Sequence, residues 1–405
     1  MVPVNEAIGI VLQHSPKPDC ESVALSDALG RVLMEDIVAD SDLPPFDRAQ
    51  MDGYAVCAAD VATVPARLRI VGESAAGSGW HQEMKEGEAV RIMTGAPVPV
   101  GADAVQQVEL TRDVDSGSVV EILEPVETGR SIVRQAAEIK AGETVLQAGD
   151  EISAAMIATL ASFGYARVKV GRRPRVAVMA TGSELVDVDE RPGADQIRDS
   201  NNYTIAAYAT IAGATVERLP LAGDDTEQLK QQIADAAKRS DVLVTSGGVS
   251  MGVYDFTKAA LKELGAEIFF ERVALRPGKP TVFARLGKTL VLGLPGNPVS
   301  VSVTFNLFAR TALRAMQGAK EPGLIAETAV LARAVKGSIE RESYLPAVLR
   351  TDEKGTLLVE PLQWGGSSDF VAFARATALI NVPTGVKTIE ASQAVRIVRL
   401  PGSTL

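Results

Sequence analysis

The chain has 405 residues, 46% hydrophobic and 23% charged, and its 41 Lys and Arg against 51 Asp and Glu give a net charge of −10. That length exceeds what one hydrophobic core usually serves and predicts two to four folded domains, while the acidic balance argues against a nucleic-acid or anionic-membrane surface and leaves room only for a local basic pocket. Cys20 and Cys57 are the only cysteines, without paired or metal-type spacing, so neither a disulfide framework nor a thiolate zinc site is expected and a reducing cytoplasm fits.

The N-terminus lacks a basic leader region, and no apolar run reaches the roughly 18 residues of a membrane span, so no membrane partner is expected. Apolar spacing predicts helices over 4–14 and 24–29, then an extended segment through 38 and the turn-rich loop Leu43-Pro44-Pro45-Phe46-Asp47. Short alternating runs at 67–71, 89–93, 104–108 and 119–123, separated by Gly and Pro, read as a β-rich module. A helix over 153–163 resembles the first helices more than that module, so the module reads as an insertion into a helical domain. Beyond Gly171-Arg172-Arg173-Pro174, strands and helices alternate up to a long helix over 299–316, which predicts a mainly parallel sheet covered by helices on both faces. Short strands after Glu321-Pro322-Gly323 predict a small β-barrel or sandwich.

In an open α/β sheet, ligands bind outside the carboxyl ends of the strands. The loops there read Thr181-Gly182-Ser183-Glu184, Gly223-Asp224-Asp225, Ser246-Gly247-Gly248-Val249-Ser250, Arg276-Pro277-Gly278-Lys279-Pro280 and Leu294-Pro295-Gly296-Asn297-Pro298. Glycines let backbone N–H groups approach an anion closely, and five such loops at one edge describe an oxyanion cradle over about residues 174–318. Singly, each has a plainer reading: a tight turn for Gly247-Gly248, a capping box for Asp225 with Gln228, a stiffened turn for Pro295 and Pro298. Neither the NTPase phosphate loop nor the dinucleotide Gly-x-Gly-x-x-Gly pattern occurs. With only His14 and His81, neither a Ser-His-Asp triad nor a histidine metal site is indicated. Glu184, Asp224 and Asp255 are hard oxygen donors placed to hold Mg²⁺ against a phosphate, with helix capping as the competing role, and Arg272, Arg276 and Lys279 supply positive charge for an oxyanion.

Six strings occur in the order of one family: Pro45-Phe46-Asp47 with Met51-Asp52-Gly53-Tyr54-Ala55, Arg91-Ile92-Met93-Thr94-Gly95-Ala96-Pro97-Val98-Pro99, Thr181-Gly182-Ser183-Glu184-Leu185, Ser246-Gly247-Gly248-Val249-Ser250, Pro277-Gly278-Lys279-Pro280 and Gly293-Leu294-Pro295-Gly296-Asn297-Pro298. Over nearly its whole length the chain resembles the molybdenum insertases, the molybdopterin molybdenumtransferase family related to the C-terminal domain of gephyrin. The resemblance implies a multidomain α/β protein with a split helical first domain at 1–46 and 139–172 and an inserted β-rich domain at 47–138. It implies a three-layer α/β/α domain at 173–320, like molybdopterin adenylyltransferases, and a β-barrel domain at 321–405. The implied reaction inserts molybdate into adenylylated molybdopterin and releases AMP, assisted by a divalent cation, at a site shared between the subunits of a homodimer. Implied further partners are a molybdopterin adenylyltransferase and recipient molybdoenzymes.

Carried over by position, Glu184, Asp224 and Asp255 hold the adenylylated pterin and its cation, with Gly247, Gly248, Ser250 and Lys279 on the substrate. Arg272 and Arg276 neutralise molybdate in a pocket shaped by Pro295, Pro298 and Ser367. Asp52 and Thr94 reach in from the partner subunit, although an Asx-turn is an equal reading of Asp52. One departure stands out: where the family carries Arg-x-x-Gly-Glu-Asp, this chain has Arg134-Gln135-Ala136-Ala137-Glu138-Ile139, so that Glu138 replaces a functional aspartate with a longer reach. Two other readings stay open, an adenylyltransferase that consumes ATP and a noncatalytic pterin-binding scaffold.

Overall fold

The computed structural model describes residues 1–222, 226–248 and 256–402. Asp224, Ser250 and Asp255 lie outside these residues. The described chain forms two compact units, one of residues 1–35, 148–154 and 167–405, the other of residues 36–147 and 155–166.

In the first unit, the strands Arg175–Ala180, Val242–Ser246 and Thr289–Leu294 are runs of apolar and β-branched residues, buried along their length apart from Arg175. Such continuous burial suits strands covered on both faces. They lie side by side in a six-stranded sheet whose order is Thr215–Arg218, Arg175–Ala180, Val242–Ser246, Thr289–Leu294, Val282–Leu286, Glu267–Phe270. Side chains alternate between two cores. Val176, Val178, Val242, Val244, Leu290 and Leu292 face the helices Val4–His14 and Asn201–Ile211 and the long C-terminal helix, whereas Ala177, Met179, Leu243 and Val291 face Thr226–Arg239 and Phe256–Glu263. The result is a three-layer α/β/α arrangement.

One sequence expectation needs correction, and two others gain detail. The sheet is mainly parallel as expected, with Val282–Leu286 its one reversed strand, joined to Thr289–Leu294 by an antiparallel hairpin turned at Gly287, with φ 60°. The helix expected over 24–29 is instead the end of strand Cys20–Ala24, paired with Arg167–Gly171, and one 3₁₀ turn at Leu25–Asp27, because so short a run cannot offset helix nucleation. The first domain is therefore not wholly helical. The long helix is divided into Pro298–Thr304, a π turn at Phe305–Ala309, and Arg310–Met316. Around that turn Ser302 Oγ, Thr304 Oγ1, Asn306 Nδ2 and Thr311 Oγ1 all donate to carbonyls four residues back, competing with the helical ladder.

Ala326–Leu331, Glu342–Thr351, Leu357–Pro361, Ala378–Val382 and Ala394–Arg399 form a closed barrel, sealed by pairing of Glu342–Thr351 with Ala378–Val382. Leu345, Leu349, Val359, Ile380 and Ile397 fill it. Leu275–Arg276 pairs with Glu342 and Ser343, which ties the loop at Pro277 to the barrel.

The second unit contains a six-stranded sheet ordered Ala104–Gln107, Gly53–Val56, Glu88–Ile92, Ala66–Ser74, Val119–Ile122, Thr111–Val114. Tyr54, Leu68 and Ile122 pack on one face, and Ala55, Val90 and Val105 on the other. Among the described residues, no helix is long and apolar enough to cross a membrane.

Candidate functional site

Arg175–Ala180, Val242–Ser246 and Thr289–Leu294 are adjacent and parallel, so the loops that follow them meet at one edge. Thr181 N–H donates to Ser246 O at 2.9 Å, and Gly247 N–H to Leu294 O at 3.2 Å. Gly247 has φ 87°, and a Cβ there would sit 2.4 Å from the carbonyl oxygen of Thr181; one on Gly248 would sit 2.5 Å from Thr257 Oγ1. The paired glycines thus allow close backbone packing against Thr181 and Thr257. Asn201, which begins helix Asn201–Ile211, donates through Nδ2 to Ser246 Oγ at 2.8 Å and to Gly296 O at 2.7 Å, joining two of the loops.

Above these loops lies a cavity of about 820 Å³, lined by Thr181, Glu184, Asn201, Gly247, Asn297 and Pro298 among others. Glu184 is exposed, and its carboxylate folds over Gly182, where an added Cβ would meet Oε2 at 2.5 Å. No hydrogen bond or ion pair engages that carboxylate among the described residues, which leaves a hard oxygen donor free for a cation. Among those residues no group of three His, Cys, Asp or Glu forms a metal site.

A second cavity of about 720 Å³ lies between the loop at Pro277 and the barrel. Arg276, Lys279, Lys336 and Arg341 line it with Pro295, Trp364 and Ser367, and no acidic residue does. Among the described residues none of these four cations makes an ion pair; Arg276 reaches only the Gly337 carbonyl, at 3.4 Å. Like charges gathered around one space without acidic partners can accommodate an anion. Asn297 lines both cavities, and its Nδ2 donates to Ser367 Oγ at 2.8 Å. Ser367 O accepts from Val299 N–H at 3.0 Å. Asp369 holds the same loop through Gly365 N–H at 2.8 Å and Ala372 N–H at 3.1 Å, and these bonds keep its pKa below the ordinary carboxylate value.

The structure therefore brings Arg276, Lys279, Pro295 and Ser367 together, and places Glu184, Gly247 and Pro298 around the neighbouring cavity. Arg272 lines neither; its carbonyl accepts from Val2 N–H at 2.9 Å. Lys336, Arg341, Asn201 and Asn297 were not singled out from sequence. The first two stand on barrel connections more than fifty residues beyond the Pro-Gly-Lys-Pro loop, with no motif around them.

Within the second unit, Asp52 Oδ1 accepts from the N–H of Thr94 at 2.7 Å and from its hydroxyl at 2.8 Å, and both bonds lower the Asp52 pKa. Its other oxygen is left to a ligand or solvent. Glu138 pairs with Arg48 at 3.2 Å, and Arg134 with Asp47 at 2.5 Å, so the departing loop is anchored at both ends. Ala136, between them, has φ 60°.

A three-layer sheet domain with its loops gathered around one cavity, and a second, cation-lined cavity between the Pro277 loop and a closed barrel, define a multidomain α/β protein. The profile of the MoeA N-terminal region (domain I and II) matches residues 2–164, that of the probable molybdopterin binding domain residues 177–315, and that of the MoeA C-terminal region (domain IV) residues 328–400. A molybdopterin molybdenumtransferase of Bacillus subtilis (strain 168) is 36% identical over 98% of this chain and 93% of its own, and one of Staphylococcus aureus (strain COL) 35% identical over 98% and 95%. Two solved structures of a Pyrococcus horikoshii MoeA molybdopterin biosynthesis protein superpose with TM-scores of 0.81, at 31% identity over the whole of both chains, and 0.84, at 28% identity over 98% of this chain and 100% of that one. The chain belongs to the MoeA family of molybdopterin molybdenumtransferases. That membership makes it a transferase-family protein of molybdenum cofactor biosynthesis.

Proposed function

We propose that the chain inserts molybdate into adenylylated molybdopterin and releases AMP. The observation that carries this reading is the pair of cavities sharing Asn297, one ringed by four unpaired cations and the other by the strand-end loops and Glu184. Molybdate, a tetrahedral dianion, suits the first through Arg276, Lys279, Lys336 and Arg341, with Ser367 as a hydroxyl partner. The adenylylated pterin suits the second, its phosphate against Gly247 and Gly248, so that its dithiolene end can meet the oxyanion near Asn297. Arg272, which lines neither cavity, keeps at most a supporting place in this reading.

Glu184 would hold Mg²⁺ together with Asp224 and Asp255, and a bound cation would neutralise charge on the departing AMP phosphate. Ser250 would assist on the substrate side. Asp52, Thr94 and Glu138 are assigned to a second copy of the chain in a homodimer. The test is AMP release from adenylylated molybdopterin by purified protein, with molybdate and Mg²⁺ each present or omitted. Release that depends on molybdate supports insertion; tight pterin binding without release points to a scaffold, and ATP consumption to an adenylyltransferase. Arg341→Ala is expected to raise the molybdate concentration for half-maximal release at least about tenfold, with little change in pterin affinity.

A further inference from the structure

A smaller cavity of about 270 Å³ is lined by Asp187, Asp199, Asn202, Tyr203, Arg218 and Leu219 among others, and Asp199 lines the 820 Å³ cavity as well. Asp199 is 3% exposed and Asn202 4%. The Asp199 carboxylate accepts from Asn202 N–H at 3.0 Å, one of the several bonds a carboxylate can accept. Burial raises its pKa above the ordinary value although Asn202 N–H, the Asn202 side chain and Asn201 N–H all bond to it. Asn202 Nδ2 donates to Leu219 O at 3.3 Å, yet among the described residues its Oδ1 is buried without a donor. An acceptor left this way is costly unless a ligand supplies the hydrogen.

On the same cavity, the Arg218 guanidinium lies 3.8 Å from the centroid of the Tyr203 ring, and the Tyr203 hydroxyl donates to Asp187 Oδ1 at 3.1 Å. Arg218 has no ion-pair partner among the described residues. The side cavity therefore offers two buried acceptors, the Asp199 carboxylate and the donorless Asn202 Oδ1, next to one planar donor without an ion-pair partner among the described residues. An adenine edge alternates a single amino donor with ring acceptors and does not match. A 2-amino-4-oxopyrimidine edge presents adjacent N3–H and 2-amino donors beside a carbonyl oxygen, and does.

We infer that this side cavity is the specificity subsite for the 2-amino-4-oxo edge of the pterin, with Asp199 and Asn202 Oδ1 accepting from N3–H and the 2-amino group and Arg218 donating to the 4-oxo oxygen. The inference rests on the pterin reading above and adds which ring enters where. It places the pterin in the side cavity and leaves the larger one to the rest of the substrate.

Binding of 2-amino-4-oxopteridine and of lumazine, which carries a 2-oxo group instead of the amine, is measured by fluorescence titration. The wild type should prefer the aminopteridine at least about tenfold, because the lumazine oxygen would face the two acceptors. Asp199→Asn should bring the two affinities to within about threefold of each other. Since Asp199 also bonds to the start of a helix, Arg218→Gln is the second variant; its side chain is exposed, and it should weaken both ligands together while leaving their ratio unchanged. A wild type without preference, or an Arg218→Gln protein that binds both as tightly as wild type, overturns the assignment. Molybdate-dependent AMP release on the same preparations separates the two failures: normal release without preference sinks only the subsite, whereas loss of both pterin binding and release sinks the functional reading too.

Discussion

Ala136 occupies a left-handed backbone position, φ 60°, in the loop between the Arg134–Asp47 and Glu138–Arg48 ion pairs. A Cβ costs roughly 1–2 kcal/mol in that region, and glycine avoids it at some expense in unfolded-chain entropy. Ala136→Gly should therefore stabilise the protein by about 0.5–1 kcal/mol in urea unfolding. A destabilised variant would show that the Ala136 methyl makes a favourable contact. Asp52 gives a prediction in pH. Its carboxylate is held below the ordinary value of 3.8 by the Thr94 N–H and then by the Thr94 hydroxyl. The stability this adds is complete above that ordinary value and is lost as pH falls through the lowered one. Unfolding midpoints of wild type and Asp52→Asn, followed from about pH 5 to about pH 2, should converge at the acid end. Parallel curves throughout would mean that the bonds to Thr94 do not set the Asp52 pKa.

At the scale of elements, the strand-end loops hold one another by close backbone approach. In Gly247→Ala the new Cβ would lie 2.4 Å from the Thr181 carbonyl oxygen at φ 87°, and neither backbone can give way cheaply. The substitution should cost about 1–3 kcal/mol and weaken pterin binding more than molybdate binding, as thermal unfolding and two separate titrations would report. An unchanged pterin affinity would show that the Gly247 loop does not shape the larger cavity. Such loops were legible in the sequence because Gly and Pro punctuate apolar strands at each carboxyl end. The one reversed strand was not, since Val282–Leu286 carries the same apolar signal whether parallel or antiparallel to Thr289–Leu294, and only the two-residue turn Gly287-Lys288 distinguishes them. The segment 24–29 misled because five or six apolar-spaced residues fit one helical turn as well as a strand end. Lys336 and Arg341 could not be read at all. Their place at the cavity depends on the pairing of Leu275–Arg276 with Glu342 and Ser343, a contact between distant stretches of chain that leaves no local pattern.

At the scale of the molecule, charge placement separates stability from function. Arg314 is buried, with a side-chain exposure of 6%, and pairs with Glu151 at 2.6 Å, which fastens the chain segment 148–154 to the long helix. Burial and then the charge of Arg314 lower the pKa of Arg310, so this helix face already bears two close cations. Glu151→Gln, which removes the compensating charge, should cost about 1–3 kcal/mol in urea unfolding without altering ligand affinity. The four cations of the 720 Å³ cavity have no such partners among the described residues, and they face a molecule whose net charge is −10. A dianion approaching it is repelled by the whole and attracted by the few groups within reach. Screening decides between them, because at physiological salt charges farther than about 8 Å are largely hidden while contacts of a few ångströms are not. Molybdate binding should thus weaken as salt rises, the local attraction being the larger effect. In the double variant Lys336→Gln, Arg341→Gln the remaining attraction is smaller, and the dependence should flatten or reverse as salt screens the residual repulsion. Equilibrium dialysis across a salt series tests this directly. A double variant with the wild-type salt slope would mean that molybdate does not bind among these cations, and the cavity assignment would fall with it.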